Sequence, residues 1–162
     1  VPASDTYIVR PVVNPKGMGL GASFMYLIHS TSCIPHGYFW CEIFSGDHLS
    51  VDYLDGEPVL TVMGIPDSER PLQRFASWKK VENSVPLPKM LHEVASEHRY
   101  INCEFIGGKL IEVHLRHNPD FAHNNTEMIP VWLDKPNPFP VGYRYIPDED
   151  SSDDLRTGIW VR

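Results

Sequence analysis

The sequence predicts an α+β fold, in which antiparallel sheets are built from β-hairpins and accompanied by two helices. The first observation behind this prediction is a pair of segments, 48–63 and 100–116, in which apolar and polar side chains alternate on either side of a turn sequence. Such alternation around an Asp-Gly or Gly-Gly pair is typical of a hairpin. The second observation is that residues 68–81 and 89–98 repeat apolar side chains at helical spacing.

The N-terminal part of the chain predicts further strands. Residues 7–13 alternate as a short strand and lead into a glycine-containing loop at 14–21, and residues 38–44 are rich in aromatic and β-favouring residues. The strands of the hairpin that follows are expected at 48–54 and 58–63.

Each predicted helix has one apolar face. In residues 68–81, Leu72, Phe75 and Trp78 share a face, and Pro71 is tolerated because it lies in the first turn. In residues 89–98 the apolar stripe consists of Met90, Leu91, Val94 and Ala95.

The hairpin at 100–116 brings two carboxylates together. A three-residue turn at 107–109 puts the apolar triplets of both strands on one face, whereas a two-residue turn would separate them. In that register Glu104 pairs directly with Glu112. Because like charges directly opposite each other destabilise a sheet, a bound divalent metal is expected there. The triplets are Ile101, Cys103 and Phe105, and Ile111, Val113 and Leu115.

The polar face of this hairpin is the first candidate site. Two carboxylates suit Mg²⁺, and Arg116 on the same face can contact a phosphate with its fork of donors. A solvated face whose charges are balanced by Arg116 and Lys109 is the alternative. The face carries Asn102, Glu104, Glu112, His114 and Arg116.

A glycine loop is the second candidate. Gly17, Gly19 and Gly21 follow the strand that carries Arg10. Such loops let backbone N–H groups approach phosphate oxygens while a basic side chain supplies charge. The alternative is a mobile surface turn.

Two further segments are candidates. In residues 42–52, Glu42, Phe44 and His48 combine apolar and polar groups that suit an adenine and its ribose, although an ordinary hairpin with aromatic packing gives the same pattern. The other segment is a histidine cluster that suits Zn²⁺ or iron if its loop folds back, with surface histidines as the alternative. It consists of His114, His117, Asp120 and His123.

Composition limits the classes of partner. A net charge of −7 argues against nucleic acid and against anionic membranes as general partners. The sequence has no apolar run as long as a transmembrane helix and no signal-peptide pattern. Three cysteines without a C-x-x-C pair are typical of reduced thiols, so we expect a cytoplasmic protein.

In their order along the chain, these segments resemble the ATP-grasp superfamily of ATP-dependent carboxylate–amine ligases. Residues 8–11 and the glycine loop are similar to the small-lobe strand and phosphate-covering loop, with Arg10 where the family usually has Lys. Residues 42–52 are similar to the adenine-binding hinge, with His48 where many members have a ribose-binding glutamate. Residues 102–116 resemble the metal hairpin of the large lobe.

The resemblance implies ATP and Mg²⁺ as cofactors, with Mn²⁺ as the alternative metal. Glu104 and Glu112 stand at the positions of the magnesium-binding carboxylates. His114 stands where the family has Asn, so the implied metal residues are Glu104, Glu112, His114 and Asn118. Either Asn118 or water replaces the missing oxygen ligand, or the site is catalytically weakened. The implied nucleotide-binding residues are Arg10, Gly17, Gly19, Gly21, Glu42, Phe44 and His48, and the implied catalytic residues are Arg116 and Arg10.

The implied function is the activation of a carboxylate as an acyl-phosphate that an amine then attacks. We expect either a ligase or its ATP-binding portion, because the preceding domain that the family uses for the carboxylate is missing. The expected partners are small-molecule or peptide carboxylate and amine substrates, together with a partner domain or a second copy of the chain. Two alternatives stay open: a non-catalytic nucleotide-binding or interaction module of the same fold, and a transition-metal protein.

The expected domain organisation follows the resemblance. Residues 1–130 form an ATP-grasp-like nucleotide-binding domain, with a small-lobe remnant at about 1–40 and a large lobe at about 41–130. Residues 131–162 form a proline-rich and then acidic C-terminal extension.

Overall fold

The protein is mostly β. Of the residues that the structure describes, strands account for 47% and helices for 6%, so the prediction of an α+β, ATP-grasp-like fold with two helices is wrong. The computed structural model describes residues 1–13, 19–31, 33–121, 124–136, 139–148 and 156–162.

Within these described ranges the chain forms eleven strands and one α-helix, α1 (His92–Glu97), which is preceded by a single 3-10 turn at Lys89–Leu91. The strands are β1 (Asp5–Pro11), β2 (Ser23–Leu27), β3 (Tyr38–Cys41), β4 (His48–Leu54), β5 (Glu57–Pro66), β6 (Phe75–Lys80), β7 (Tyr100–Ile106), β8 (Lys109–His114), β9 (Glu127–Trp132), β10 (Arg144–Pro147) and β11 (Arg156–Val161).

The chain divides into two compact units. The first unit consists of residues 1–45 and 66–74, and the second of residues 46–65 and 75–162. The first contains a three-stranded antiparallel sheet in the order β2-β1-β3. Its core is formed by Tyr7, Val9 and Leu27, against which Val1, Ile34 and Trp40 pack.

The second unit is built on an eight-stranded sheet in the order β10-β11-β9-β6-β5-β4-β7-β8. One cluster of its core lies around β4 and β7, where alternate side chains pack against Leu87 and the apolar side of α1. A second cluster lies around β5, β6, β9 and β11 and includes Trp78, Phe121 and Met128. Residues 131–162, expected as an extension, supply the end of β9 and the strands β10 and β11.

The predicted helix at 68–81 is a turn followed by strand β6, so this prediction is wrong. The reason is tertiary packing. The rings of Phe75 and Trp78 lie 4.2 Å apart by their centroids, and both cover Gly64 of β5. An added Cβ at Gly64 would lie 2.7 Å and 2.8 Å from atoms of these two rings. The ring pair therefore fits over β5 only because position 64 has no side chain, and this contact overrides the local helical spacing.

The predicted helix at 89–98 is confirmed as the 3-10 turn and α1. The hairpin around Asp55-Gly56 is also confirmed, because both residues have positive φ, 52° and 85°, as a type I′ turn requires.

The hairpin formed by β7 and β8 has the predicted pairing but a different turn. Ile106 pairs with Lys109, so the turn is the two-residue Gly107-Gly108, with φ of 56° and 78°. The register then shifts between Glu104 and Phe105, where Ile111 of β8 is an extra residue. This β-bulge restores the register that a three-residue turn would have given, and Glu104 still pairs with Glu112.

Candidate functional site

A row of polar side chains occupies one face of β4, β7 and β8 in the second unit. Directly paired residues of antiparallel strands share a face, and Ser50 pairs with Glu104, which pairs with Glu112. Asp52 likewise pairs with Asn102. The residues between them, such as Val51 and Cys103, point to the opposite face and enter the core. The polar face, as we call it below, consists of His48, Ser50, Asp52, Asn102, Glu104, Glu112 and His114.

The two glutamates of the polar face are neighbours across the β7–β8 ladder, and each is partly accessible. The side chain of Glu104 is 23% exposed and that of Glu112 is 28% exposed. Each carboxylate has its own imidazole: Nε2 of His48 lies 3.0 Å from Oε2 of Glu104, and Nε2 of His114 lies 3.5 Å from Oε1 of Glu112. The face therefore carries two imidazole–carboxylate pairs side by side.

His48 is held in place by aromatic rings. Its ring meets those of Phe75 and Trp78 edge-on, at centroid distances of 4.8 Å and 5.7 Å. These contacts fix the imidazole on the diagonal between β4 and β7, where it reaches Glu104. The residue that was expected at a ribose thus lies beside the predicted metal carboxylates.

A buried hydrogen-bond network continues the polar face next to the glutamates. The side-chain amide of Asn102 donates to Ser50 Oγ at 2.8 Å and to Asp52 Oδ1 at 2.9 Å. The backbone N–H of Asn118 donates to the same Asp52 oxygen at 2.9 Å. Ser50, Asp52 and Asn102 are 2–3% exposed, so these bonds are shielded from water and position the strands rigidly.

The number of acidic and imidazole side chains that could reach one ion determines which kind of metal the polar face could bind. Among the residues that the structure describes, no three His, Cys, Asp or Glu side chains are placed to share one ion. Zn²⁺ in proteins takes three or four such ligands, whereas Mg²⁺ usually takes one or two carboxylates and completes its shell with water and phosphate. Glu104 and Glu112 supply two carboxylates at directly paired positions.

The residues that follow β8 have other partners. Arg116 is exposed beyond the end of the strand, and its Nη1 donates to the carbonyl of His117 at 3.2 Å. Asn118 Oδ1 accepts from the backbone N–H of Asp120 at 2.9 Å. His117 stacks edge-on against Tyr100, and Asp120 forms an ion pair of 2.7 Å with Arg156. The described members of the predicted histidine cluster therefore contact three different groups, and His123 lies outside the described residues.

The remaining predicted site residues belong to the first unit. Arg10 lies on β1 with its guanidinium 5.7 Å from the ring centroid of Phe39. Glu42 is exposed and Phe44 is half-buried in the segment after β3. Gly19 and Gly21 have positive φ, 62° and 82°, and form the end of the glycine loop. Gly17 lies outside the described residues.

Asp52 and Ser50 were not among the predicted site residues. The sequence pattern that could have identified them is the alternation of β4, in which polar His48, Ser50 and Asp52 interleave with apolar residues. Pairing that alternation with the alternation of β7 would have placed them on the polar face.

Comparison with models of known protein families gives no match to this sequence, and neither does comparison with curated protein sequences. In the described part of the chain, no helix has the length and apolar character required to cross a membrane.

Proposed function

We propose that the protein binds Mg²⁺ together with a nucleoside triphosphate at the polar face, and that it is an ATP-dependent ligase or the ATP-binding portion of one. The observation that carries this proposal is the direct cross-strand pairing of Glu104 with Glu112. Two carboxylates at such neighbouring positions repel each other, and a divalent cation between them removes the repulsion.

The accessibility of the pair supports a metal that is shared with a ligand. Both carboxylates are roughly one quarter exposed, at 23% and 28%. An ion held there by two oxygens keeps several coordination positions for water or phosphate. The buried Asp52–Asn102 hydrogen bond next to the pair holds β7, which carries Glu104, against β4.

The reaction in this proposal is acyl-phosphate formation. A carboxylate oxygen attacks the γ-phosphorus of ATP, the bond to the β,γ-bridging oxygen breaks, and ADP leaves. An amine then attacks the acyl carbon, and inorganic phosphate leaves. Mg²⁺ held by Glu104 and Glu112 would neutralise the charge of the phosphates, and Arg116, which is exposed beyond the end of β8, is the proposed donor to the transferring group.

The compartment proposed with this function is the cytoplasm. Cys33, Cys41 and Cys103 are free thiols, which suits a reducing environment.

The proposal is tested by calorimetric titration with Mg²⁺ and a non-hydrolysable ATP analogue. The wild type is expected to bind the analogue and to gain about 2.7 kcal/mol of stability at a free ligand concentration near 100 times its Kd. Glu104→Gln and Glu112→Gln keep the side-chain shape but remove the charge, so each should lose the Mg²⁺-dependent part of the binding. Glu97→Gln, on the exposed side of α1, is the matched control. Absence of binding by the wild type at millimolar analogue contradicts the proposal.

One observation supports a second candidate function: each carboxylate of the pair already contacts an imidazole. If these contacts persist when nucleotide binds, the protein is a non-catalytic nucleotide-binding module. Binding would then be the same in EDTA as in Mg²⁺, and no mixture of carboxylates and amines would release ADP from ATP. Binding that depends on Mg²⁺ and is lost in Glu104→Gln argues against this alternative.

A further inference from the structure

Strand β2 (Ser23–Leu27) lies at one end of the three-stranded sheet, and among the described strands it pairs with β1 alone. Its other edge therefore presents backbone N–H and C=O groups that a further strand can bind. Large apolar side chains are exposed along this edge as well. Phe24 is 50% exposed, Met25 39% and Tyr26 64%, and Ile28 directly after the strand is 51% exposed.

An edge strand with apolar side chains is normally protected against pairing by charged residues, by proline or by its shortness. The edge strands of the eight-stranded sheet follow this rule, because β8 carries Lys109 and Glu112, and β10 carries Arg144 and Pro147. The other edge strand of the smaller sheet, β3, has only four residues, two of them half-buried. Strand β2 lacks these protections, since its five residues include neither a charge nor a proline.

The neutral stretch extends well beyond β2. Between Lys16 and Glu42 the sequence contains no Asp, Glu, Lys or Arg, although the chain has a net charge of −7. Asp5 pairs with Leu27, but it lies on β1 and therefore on the side of β2 away from the free edge. Two copies of an acidic chain repel each other, and they approach at the lowest electrostatic cost where both are neutral. The charge distribution thus favours β2 as the place where two copies meet.

The sequence of β2 is complementary to itself in an antiparallel pair. When two copies pair about a two-fold axis at Met25, Phe24 of each copy lies directly opposite the partner's Tyr26. Phe24 and Tyr26 share one face of the sheet, because they pair with Ile8 and Thr6 of β1. The axis therefore generates two aromatic cross-strand pairs, which stabilise antiparallel sheets.

The ends of β2 match the length of a second copy. At one end the Ala22 carbonyl accepts a hydrogen bond of 3.1 Å from Nε2 of Gln73. At the other end the chain turns, and the N–H of Thr31 donates to the Ile28 carbonyl at 3.3 Å. In the pair centred on Met25, each strand begins opposite the end of the other.

The apolar area of this edge is sufficient for a weak dimer. Phe24, Met25, Tyr26 and Ile28 together expose about 400 Å² in each copy, since a large side chain presents about 200 Å² in full. A stable interface of standard size buries about 800 Å² per partner. The association is therefore expected to depend on protein concentration.

We propose that two copies of the chain associate through β2 and form one continuous six-stranded sheet. Its strand order is β3-β1-β2 of one copy followed by β2-β1-β3 of the other, with the two-fold axis at Met25. Because the two short β3 strands are the remaining edges, the assembly closes at two copies. The association needs neither Mg²⁺ nor nucleotide, so it is independent of the proposed function.

Sedimentation velocity of the full chain between about 1 and 500 µM tests the association. The mass of the wild type should rise from 18.5 kDa towards twice that value. Over the same range, alternate amides of residues 23–27 should exchange more slowly, because they gain hydrogen bonds. A wild type that stays at 18.5 kDa leaves the edge to a strand of another protein and overturns the proposal. A doubled mass without slower exchange in residues 23–27 also overturns it.

Tyr26→Lys should weaken the dimer at least about tenfold, because it removes both aromatic pairs and adds a charge to the edge. Val141→Lys is the matched control, since it changes the net charge equally at a 98% exposed position of the second unit. Equal Kd values for the wild type and Tyr26→Lys would show that the copies meet elsewhere. The exchange measurement on the wild type needs no variant, so it decides the question if Tyr26→Lys does not fold.

The pairing about Met25 has a separate test. Phe24→Lys and Tyr26→Glu should each weaken the dimer. The double variant Phe24→Lys/Tyr26→Glu puts a cation opposite an anion on both sides of the axis, so its Kd should be at least about threefold tighter than that of either single variant. A double variant that dimerises no better than the single variants overturns this pairing.

Discussion

Nε2 of His48 lies 3.0 Å from Oε2 of Glu104, and the same imidazole ring meets Phe75 edge-on at 4.8 Å. One side of the ring thus contacts a carboxylate of the polar face, and the other contacts the aromatic cluster around β5 and β6. The position of the Glu104 carboxylate depends on this aromatic packing, so the site and the core of the second unit are coupled.

Replacement of His48 by alanine should destabilise the fold. The change removes the hydrogen bond to Glu104 and two edge-on ring contacts, for an expected loss of about 2 kcal/mol in the free energy of unfolding. Urea denaturation measures it. His92→Ala, at an exposed position of α1, should stay within about 0.5 kcal/mol of wild type. Equal losses in the two variants would show that the His48 contacts do not stabilise the fold.

Replacement of Asn102 by alanine should lower the free energy of unfolding by more than the His48 replacement does. The variant removes a 3% exposed amide and leaves Ser50 and Asp52 without its donated hydrogen bonds, so a loss of about 3 kcal/mol is expected. Chemical denaturation measures the change. Asn83→Ala is the control, since Asn83 is exposed. A loss below about 1 kcal/mol for Asn102→Ala would mean that water replaces the amide.

The stability contributed by Glu127 should depend on pH. A hydrogen bond donated by the Tyr143 hydroxyl, together with Lys79 and Arg162, holds the pKa of this carboxyl below its ordinary value of 4.5. A carboxyl with a lowered pKa in the folded state stabilises the fold above its unfolded pKa, and loses that effect as the pH falls through the folded pKa. Tyr143→Phe should therefore be less stable than wild type at pH 7, and the difference should shrink below pH 4.5.

The measurement is urea denaturation of both proteins between pH 7 and pH 3. Tyr26→Phe serves as the control because Tyr26 is 64% exposed. A Tyr143→Phe difference that stays constant over this range would rule out the contribution of the Tyr143 hydroxyl to the pKa of Glu127.

The three thiols should react at different rates. Burial raises the pKa of Cys103 to about 11, and its side chain, which β7 directs into the core, is fully buried. Because the thiolate is the reactive form, Cys103 should resist a disulfide reagent at pH 8 until the protein unfolds. Burial also raises the pKa of Cys41, whereas Cys33 is exposed and should react first. Cys33→Ser should remove the fast phase, and rapid modification of native Cys103 would contradict the structure.

The hairpin register was predictable because it depends on a period of two. The alternation favours the register that pairs Glu104 with Glu112, and the structure has that pair. Of the predicted apolar triplet of β8, Val113 packs against the core, whereas Leu115 is 53% exposed and Leu110 packs there in place of Ile111. The way in which the chain achieves this pairing, a two-residue turn with a bulge at Ile111, was not predictable. A two-residue turn with one bulged residue pairs Glu104 with Glu112, and so does a three-residue turn without a bulge. The alternation of the sequence is the same in both cases and does not distinguish them.

The helix predicted at 68–81 shows the limit of local spacing. Leu72, Phe75 and Trp78 are spaced as one helical face, but Leu72 contacts the glycine loop while the two aromatic residues pack over Gly64. These partners are remote in sequence, so the helical pattern contained no information about them. The contact of His48 with Glu104 was missed for the same reason, because it needs the pairing of β4 with β7.

The first unit is formed by two separate parts of the chain, residues 1–45 and 66–74, and this affects when it can fold during synthesis. The hydrogen bond from Gln73 to Ala22 joins residues 51 positions apart, and β5 lies between them. A nascent chain that has released only its first three strands lacks Gln73 and therefore lacks this hydrogen bond. The N-terminal sheet is therefore expected to become stable only after residue 74 has left the ribosome, when the β4–β5 hairpin has already been synthesised. Synthesis from the N-terminus thus delays completion of the unit that is translated first.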